Sequence, residues 1–225
     1  MKDFKAIFKT YFYKTKYNIG LKKEYGETFQ KKELVFYEKM YEGKPLIHKV
    51  ILDCIRTNKN IQTILEIGCG IGLFLTKNRD IFEGKKYTGI DISENATDIA
   101  RERSTGEFIC GDFLDDGFEK KFDLIFSESV IDHVYDIDKF ITKCVKLTKK
   151  YAIITSFRGY FPELEEHQTE FRNDEGIYYN NISVKKVKKI LIDLGLNQKE
   201  FSIEFKRKRE ELDKGHTIIF IRRSL

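Results

Sequence analysis

Apolar residues recur at helical spacing over Leu34, Val35, Tyr37, Met40 and Tyr41, and again over Ile47, Val50, Ile51, Cys54 and Ile55. Gly43 and Pro45 separate the two stretches, so residues 1–59 read as a helical region. Its first part, Met1–Lys23, interleaves seven lysines with Phe and Tyr. That pattern suits an amphipathic helix with a solvated basic face. It also suits a cap that closes over a ligand or touches an anionic partner.

From Ile61 the pattern changes. Short apolar runs at Thr63–Ile67, Tyr87–Ile90, Glu107–Cys110, Phe122–Phe126 and Tyr151–Thr155 read as strands. Helical patterns at Leu73–Phe82, Glu94–Arg103 and Asp136–Thr148 lie between them. Strands alternating with helices predict an α/β fold with a doubly wound, mostly parallel sheet and helices on both faces. Ligands of such sheets sit beyond the carboxyl ends of the strands. Arg158–Gly176 then reads as irregular, charged and aromatic. A helix follows at Ser183–Leu194, with Ser183 as N-cap and Gly195 as the stop. Glu200–Lys206 and His216–Arg222 read as a hairpin joined through Glu210–Gly215.

Composition narrows the class. A chain of 225 residues, 41% hydrophobic and 34% charged, can bury a full core. The formal net charge is +5 and the pI about 8.8, short of the clustered basicity of a dedicated nucleic-acid binder. Cys54, Cys69, Cys110 and Cys144 form no C-x-x-C pair and have neither zinc nor disulfide-framework spacing, so reduced thiols and a cytoplasmic location are expected. No apolar run approaches the ~18 residues of a membrane span.

The candidate chemistry centres on Leu65-Glu66-Ile67-Gly68-Cys69-Gly70-Ile71-Gly72. It ends one predicted strand and opens a helix. Glycines there let the backbone turn sharply and approach a ligand closely. A dinucleotide fingerprint, G-x-G-x-x-G, would put its third glycine where Leu73 stands. Here it falls at Gly72, and Glu66 precedes the loop. This E-x-G-x-G-x-G run resembles motif I of the class I S-adenosylmethionine (SAM)-dependent methyltransferases. The next run, Tyr87-Thr88-Gly89-Ile90-Asp91, ends in an acid at the position that bonds ribose hydroxyls, a geometry NAD enzymes share. Capping of the following helix is the alternative for Asp91, although Ser93 could also do that.

The resemblance continues through Gly111-Asp112-Phe113 and through Phe122–Phe126 followed by Ser127–Val134. It is clear over about Asn60–Phe157 and implies a sheet of seven strands with the last antiparallel. Residues 1–59 then form the cap and 60–225 the SAM-binding domain, with 158–181 as a substrate-side insertion. The resemblance assigns Glu66, Gly68, Cys69, Gly70, Gly72, Asp91, Ile92, Asp112, Phe113 and Ser127 to the cofactor. Asp112 would meet the adenine amino group, with Phe113 and Ile92 against the ring.

Methyl transfer from a sulfonium is an in-line displacement, so positioning is the enzyme's main task. A general base helps when the acceptor is a hydroxyl or a protonated amine. His133 is the candidate base, with Asp132 and Glu128 as alternatives and loop ordering as the plainer role. No metal site is expected. Arg158, Tyr160, His167, Tyr178 and Tyr179 are candidates for the acceptor pocket. The expected acceptor is a small molecule, such as a sugar or secondary metabolite, methylated at oxygen or nitrogen by a monomer or homodimer. RNA or protein acceptors, SAM binding without catalysis and an NAD(P)-linked oxidoreductase are the competing readings. An N-P-P-Y type motif is absent, with Ser127-Glu128-Ser129-Val130 in its place.

Overall fold

A computed structural model describes residues 46–115, 117–172, 177–206 and 216–223. The expectations for Met1–Lys23, the Leu34–Tyr41 helix and the Glu210–Gly215 turn lie outside these residues.

The chain begins with helix α1 (Leu46–Thr57), followed by β1 (Thr63–Ile67), α2 (Leu73–Lys77), α3 (Arg79–Phe82), β2 (Lys86–Asp91), α4 (Glu94–Arg103), β3 (Glu107–Cys110) and β4 (Phe122–Glu128). A turn of 3-10 helix at Ile131–His133 leads to α5 (Ile137–Leu147) and β5 (Thr148–Ser156). Then come β6 (Tyr160–Phe161), β7 (Gln168–Arg172), β8 (Ile177–Ser183), α6 (Val184–Asp193), β9 (Phe201–Lys206) and β10 (His216–Arg222).

The main sheet has seven strands in the order β3-β2-β1-β4-β5-β10-β9. The first five are parallel, and β10 runs antiparallel to both β5 and β9. Chain order reverses between β1 and β4, which opens a crevice at their carboxyl ends. Strand alternation divides the core between the two faces. Leu65, Ile125 and Ile154 join a cluster with Phe140, Ile141, Val187 and Leu191 of α5 and α6. Their neighbours Ile64, Leu124 and Ile153 join the opposite cluster with Ile51 and Ile55 of α1 and Phe74 of α2. With helices on both faces, the central strands are buried almost throughout and read as continuous apolar runs. Ile51 and Ile55 make α1 a packing layer of this sheet, although it lies in the stretch expected to be the cap.

Side chains cap the helices as their sequence suggests. Ser93 accepts from the Ala96 amide, Asp136 from Lys139 and Ser183 from Lys186. Gly195, at φ +85°, ends α6. Two expectations are corrected. Leu73–Phe82 is two short helices, because Asn78 (φ −126°, ψ 32°) leaves the helical region and its Nδ2 donates to the Phe74 carbonyl at 2.8 Å. Part of the irregular 158–176 stretch forms, with β8, a second sheet ordered β6-β8-β7. Among the described residues no helix is long and apolar enough to cross a membrane.

Candidate active site

The glycine loop is built from backbone bonds. Gly68 and Cys69 donate to the Ile90 carbonyl at 2.8 and 3.2 Å, which ties the loop to the end of β2. Gly68 has φ +76°, and a Cβ there would lie 2.1 Å from Val130 Cγ2. Gly70 has φ +50°, yet a Cβ on it would meet nothing within 4 Å. The first glycine is therefore required by packing. The second faces open space at the crevice. Gly72 opens α2, which is only five residues long. A helix that short has little macrodipole, so the loop amides and side chains must supply most of the polar recognition.

Asp91 closes the loop from beneath. Its Oδ2 accepts from the Gly70 amide at 2.8 Å and its Oδ1 from the Ser93 amide at 2.9 Å. Burial raises its pKa, and these amide bonds oppose the rise. Ser93, rather than Asp91, caps α4. A carboxylate offers about four lone-pair sites, so ribose hydroxyls can bond Asp91 without dismantling the loop.

Glu66 lies under the loop, 4% exposed, and accepts a hydrogen bond from the Tyr87 hydroxyl. Burial pushes its pKa well above the usual carboxylate range. Cys69 is buried against Gly89 of β2. At the end of β3, Asp112 Oδ1 accepts from the Leu114 amide at 2.9 Å, and half-buried Ile92 lies between α4 and β2. Phe113 is turned into the core, its ring centroid 5.5 Å from that of Phe140. Ser127 is fully buried on β4, in register with Ile67 just before the loop. Its Oγ has no hydrogen-bond partner among the described residues.

The segment after β4 carries the second half of the site. His133 Nδ1 lies 2.7 Å from the Tyr178 carbonyl of β8. A carbonyl only accepts, so the proton sits on Nδ1 and the Nε2 of the neutral ring carries the lone pair. The imidazole centroid is 5.4 Å from that of Tyr179 and 5.6 Å from that of Phe157. The other two base candidates differ. Asp132 is fully buried and accepts from Ser156 Oγ at 2.6 Å and from the Phe157 and Arg158 amides at 3.1 and 3.3 Å. It organises the turn after β5. Burial raises it to about 7 and raises Glu128 to about 8. Among the described residues no group of His, Cys, Asp and Glu is arranged to hold a metal ion.

The acceptor candidates separate. Tyr160 and Tyr178 are 2% and 4% exposed and belong to the packing. His167 Nδ1 accepts from the Ser183 amide at 3.0 Å, on the α6 side of the domain. Tyr179 and Arg158 stay with His133. Sequence reasoning missed Asn180, whose Nδ2 donates to the Ile131 and Val134 carbonyls, both at 2.8 Å, and so braces the 3-10 turn. It also missed Arg172, whose Cζ lies 4.1 Å from the Tyr179 ring centroid.

A family model described as a methyltransferase domain matches residues 65–155, from the middle of β1 to the penultimate residue of β5. The chain thus carries a methyltransferase domain over these residues. A ubiquinone biosynthesis O-methyltransferase of Chelativorans sp. is 34% identical over 92 residues, covering 38% of this chain and 36% of that protein. A malonyl-[acyl-carrier protein] O-methyltransferase of Priestia megaterium is 27% identical over 146 residues, covering 61% and 53%. The chain thus spans about half or less of these two relatives. The magnesium protoporphyrin IX methyltransferase of Synechocystis PCC 6803, solved with bound SAM, superposes with a TM-score of 0.55 at 18% identity, covering 79% of this chain and 78% of that one. That likeness shows the fold.

The residues of the methyltransferase domain fit SAM on two local observations. A Cβ on Gly70, whose amide is held by the Asp91 carboxylate, would meet nothing within 4 Å. The buried Ser127 hydroxyl has no hydrogen-bond partner among the described residues, beside the root of the same loop.

Proposed function

We propose that the chain transfers the SAM methyl group to an oxygen or nitrogen of a small molecule. The observation that carries this reading is the His133 tautomer. Its Nδ1 is committed to the Tyr178 carbonyl, on the segment whose Val130 packs against Gly68.

Gly68, Cys69, Gly70 and Gly72 shape the cofactor loop, and Glu66 supports it from below. Asp91 would bond the ribose and Asp112 the adenine amino group, with Ile92 against the ring. Phe113 backs this wall from the core, and the Ser127 hydroxyl at the root of the loop would help to hold the cofactor. When bound, SAM supplies a methyl group already activated by the sulfonium. His133 Nε2 would take the proton that the acceptor atom gives up, and the Nδ1–H···O=C bond would keep the ring oriented meanwhile. Phe157 and Tyr179 flank that proton transfer and limit water access. The 158–181 insertion, which carries Arg158 and Tyr179, would help to enclose the acceptor. Both relatives' names describe O-methylation, which supports oxygen as the first atom to test.

Isothermal titration with S-adenosylhomocysteine (SAH), with NAD and NADP in parallel, tests the reading. Micromolar SAH binding alone is expected. A nicotinamide cofactor binding in its place would overturn it.

A further inference from the structure

Among the described residues, one edge of β8 is lined by β7 from Ile177 to Asn181, while the other meets a strand only at Ile182 and Ser183, where β6 pairs with it. Residues two apart on a strand point their carbonyls to the same side. The carbonyls of Tyr178 and Asn180 therefore share the edge that β6 leaves open, and side chains take them in place of a strand. His133 Nδ1 lies 2.7 Å from the Tyr178 carbonyl, and Arg158 Nε donates to the Asn180 carbonyl at 3.2 Å.

The Asn180 side chain is fully buried, on the face of β8 that also carries the buried Tyr178 and Ile182. Strand alternation favours an apolar residue at such a position. Asn180 Nδ2 instead donates to the Ile131 and Val134 carbonyls, both at 2.8 Å. These two carbonyls bracket His133 along the chain. Both only accept, so the amide nitrogen must face them and the orientation of the group is fixed. Its Oδ1 is then buried with no hydrogen-bond partner among the described residues. A buried unsatisfied oxygen is costly. If the turn needed only to be packed against β8, an apolar side chain would serve without that cost.

We infer that Asn180 is a positioning residue for His133. It holds the turn at two points so that Nδ1 reaches the Tyr178 carbonyl, and that contact selects the nitrogen able to accept a proton. This rests on the reading of His133 as the base and deepens it. A neutral imidazole released from such a carbonyl returns to a mixture of tautomers in which Nε2–H predominates, and that form has no lone pair at Nε2. Asn180 thus acts on the proton transfer through His133, without touching the acceptor. The same turn follows Val130, which packs against Gly68, so the cofactor loop and β8 hold the imidazole between them.

The full chain, labelled with ¹⁵N in its four histidines and saturated with SAH, is followed by long-range ¹⁵N–¹H correlation at a pH where imidazole is neutral. His133→Gln assigns the His133 signal. The wild type should show His133 as the Nδ1–H tautomer. Asn180→Leu, close in volume and without donors, should shift His133 toward Nε2–H. His167, whose Nδ1 accepts from the Ser183 amide of the same strand, should stay Nε2–H and is the internal reference for an intact β8. SAH affinity of the variant should stay within about threefold of wild type. Asn180→Ala should act in the same direction and serves if the leucine does not fit. A wild-type His133 in the Nε2–H form would overturn the inference, as would a folded Asn180 variant that keeps Nδ1–H. A shift of His133 and His167 together, or failure of both variants to fold, would make Asn180 a part of the architecture alone and would overturn it too. SAH titration of the wild type and the rate of His133→Ala separate the levels. If SAH does not bind, or if His133→Ala turns over normally, the reading beneath fails and this inference falls with it. If both hold and the tautomer ignores Asn180, only this inference fails.

Discussion

Gly68 and Val130 stand so close that a single added methyl group on the glycine would lie 2.1 Å from Val130 Cγ2. The contact locks the turn of the cofactor loop against the segment that carries His133. Gly68→Ala should therefore cost about 1–2 kcal/mol for its left-handed φ and a further ~1–3 kcal/mol for the clash. Urea denaturation reads the stability, and SAH affinity should fall with it. Adding Val130→Ala should recover the steric part and leave the backbone part. A Gly68→Ala protein as stable as wild type would contradict the packing described.

Asp91 ties the Gly70 and Ser93 amides together at the position proposed to hold the ribose. Asp91→Ala removes charge-assisted bonds worth roughly 1.5–3 kcal/mol each. SAH affinity should fall about tenfold or more. Unchanged calorimetric affinity would remove Asp91 from the cofactor site.

His133→Ala should lower kcat by about 10²–10⁴, the usual span for loss of a general base. SAH affinity should change far less. The acid limb of the wild-type pH–rate profile should disappear from the variant. A normal rate at all pH values would reduce the imidazole to a spacer between Phe157 and Tyr179.

Asp132 gathers three donors from residues 156–158 in a fully buried position. Asp132→Ala strands those donors and should destabilise the protein by on the order of 3 kcal/mol. Asp132→Asn, which keeps one accepting oxygen, should lose less. Equal urea midpoints for wild type and Asp132→Ala would show that the turn holds without it.

Glu128 is raised by burial to about 8, from an ordinary value near 4.5. The folded state therefore holds this proton over a pH range in which the unfolded chain has released it. Its contribution to stability is largest at low pH and is lost as the pH rises from about 4.5 through about 8. Glu128→Gln cannot titrate, so its melting temperature should gain on wild type steadily between pH 5 and pH 8. A constant gap across that range would contradict the shift.

The strands of the main sheet were legible because burial on both faces writes them as apolar runs, as in Thr63–Ile67 and Phe122–Phe126. The glycine loop was legible because its spacing is set by backbone turns that few other residues can make. The small sheet was not. β7 reads Gln-Thr-Glu-Phe-Arg, with almost no apolar signal, and β8 places Asn180 at a fully buried position where polarity suggests a loop. Its side chain is buried to hold two carbonyls of another segment, a relation that no local pattern records. For the same reason Tyr160 and Tyr178 looked like pocket residues until packing turned them inward. Arg172 was one cation among 41 until the strand register set it on Tyr179.

The position of β10 between β5 and β9 bears on how the chain is made. Residues 151–156 find their second neighbour only in residues 217–222. Until that part of the chain leaves the ribosome, β5 remains an open edge whose last six side chains are all destined for burial. Such an edge invites pairing with another nascent chain. During synthesis the five parallel strands can assemble in order, but β5 is covered only when β10 pairs with it.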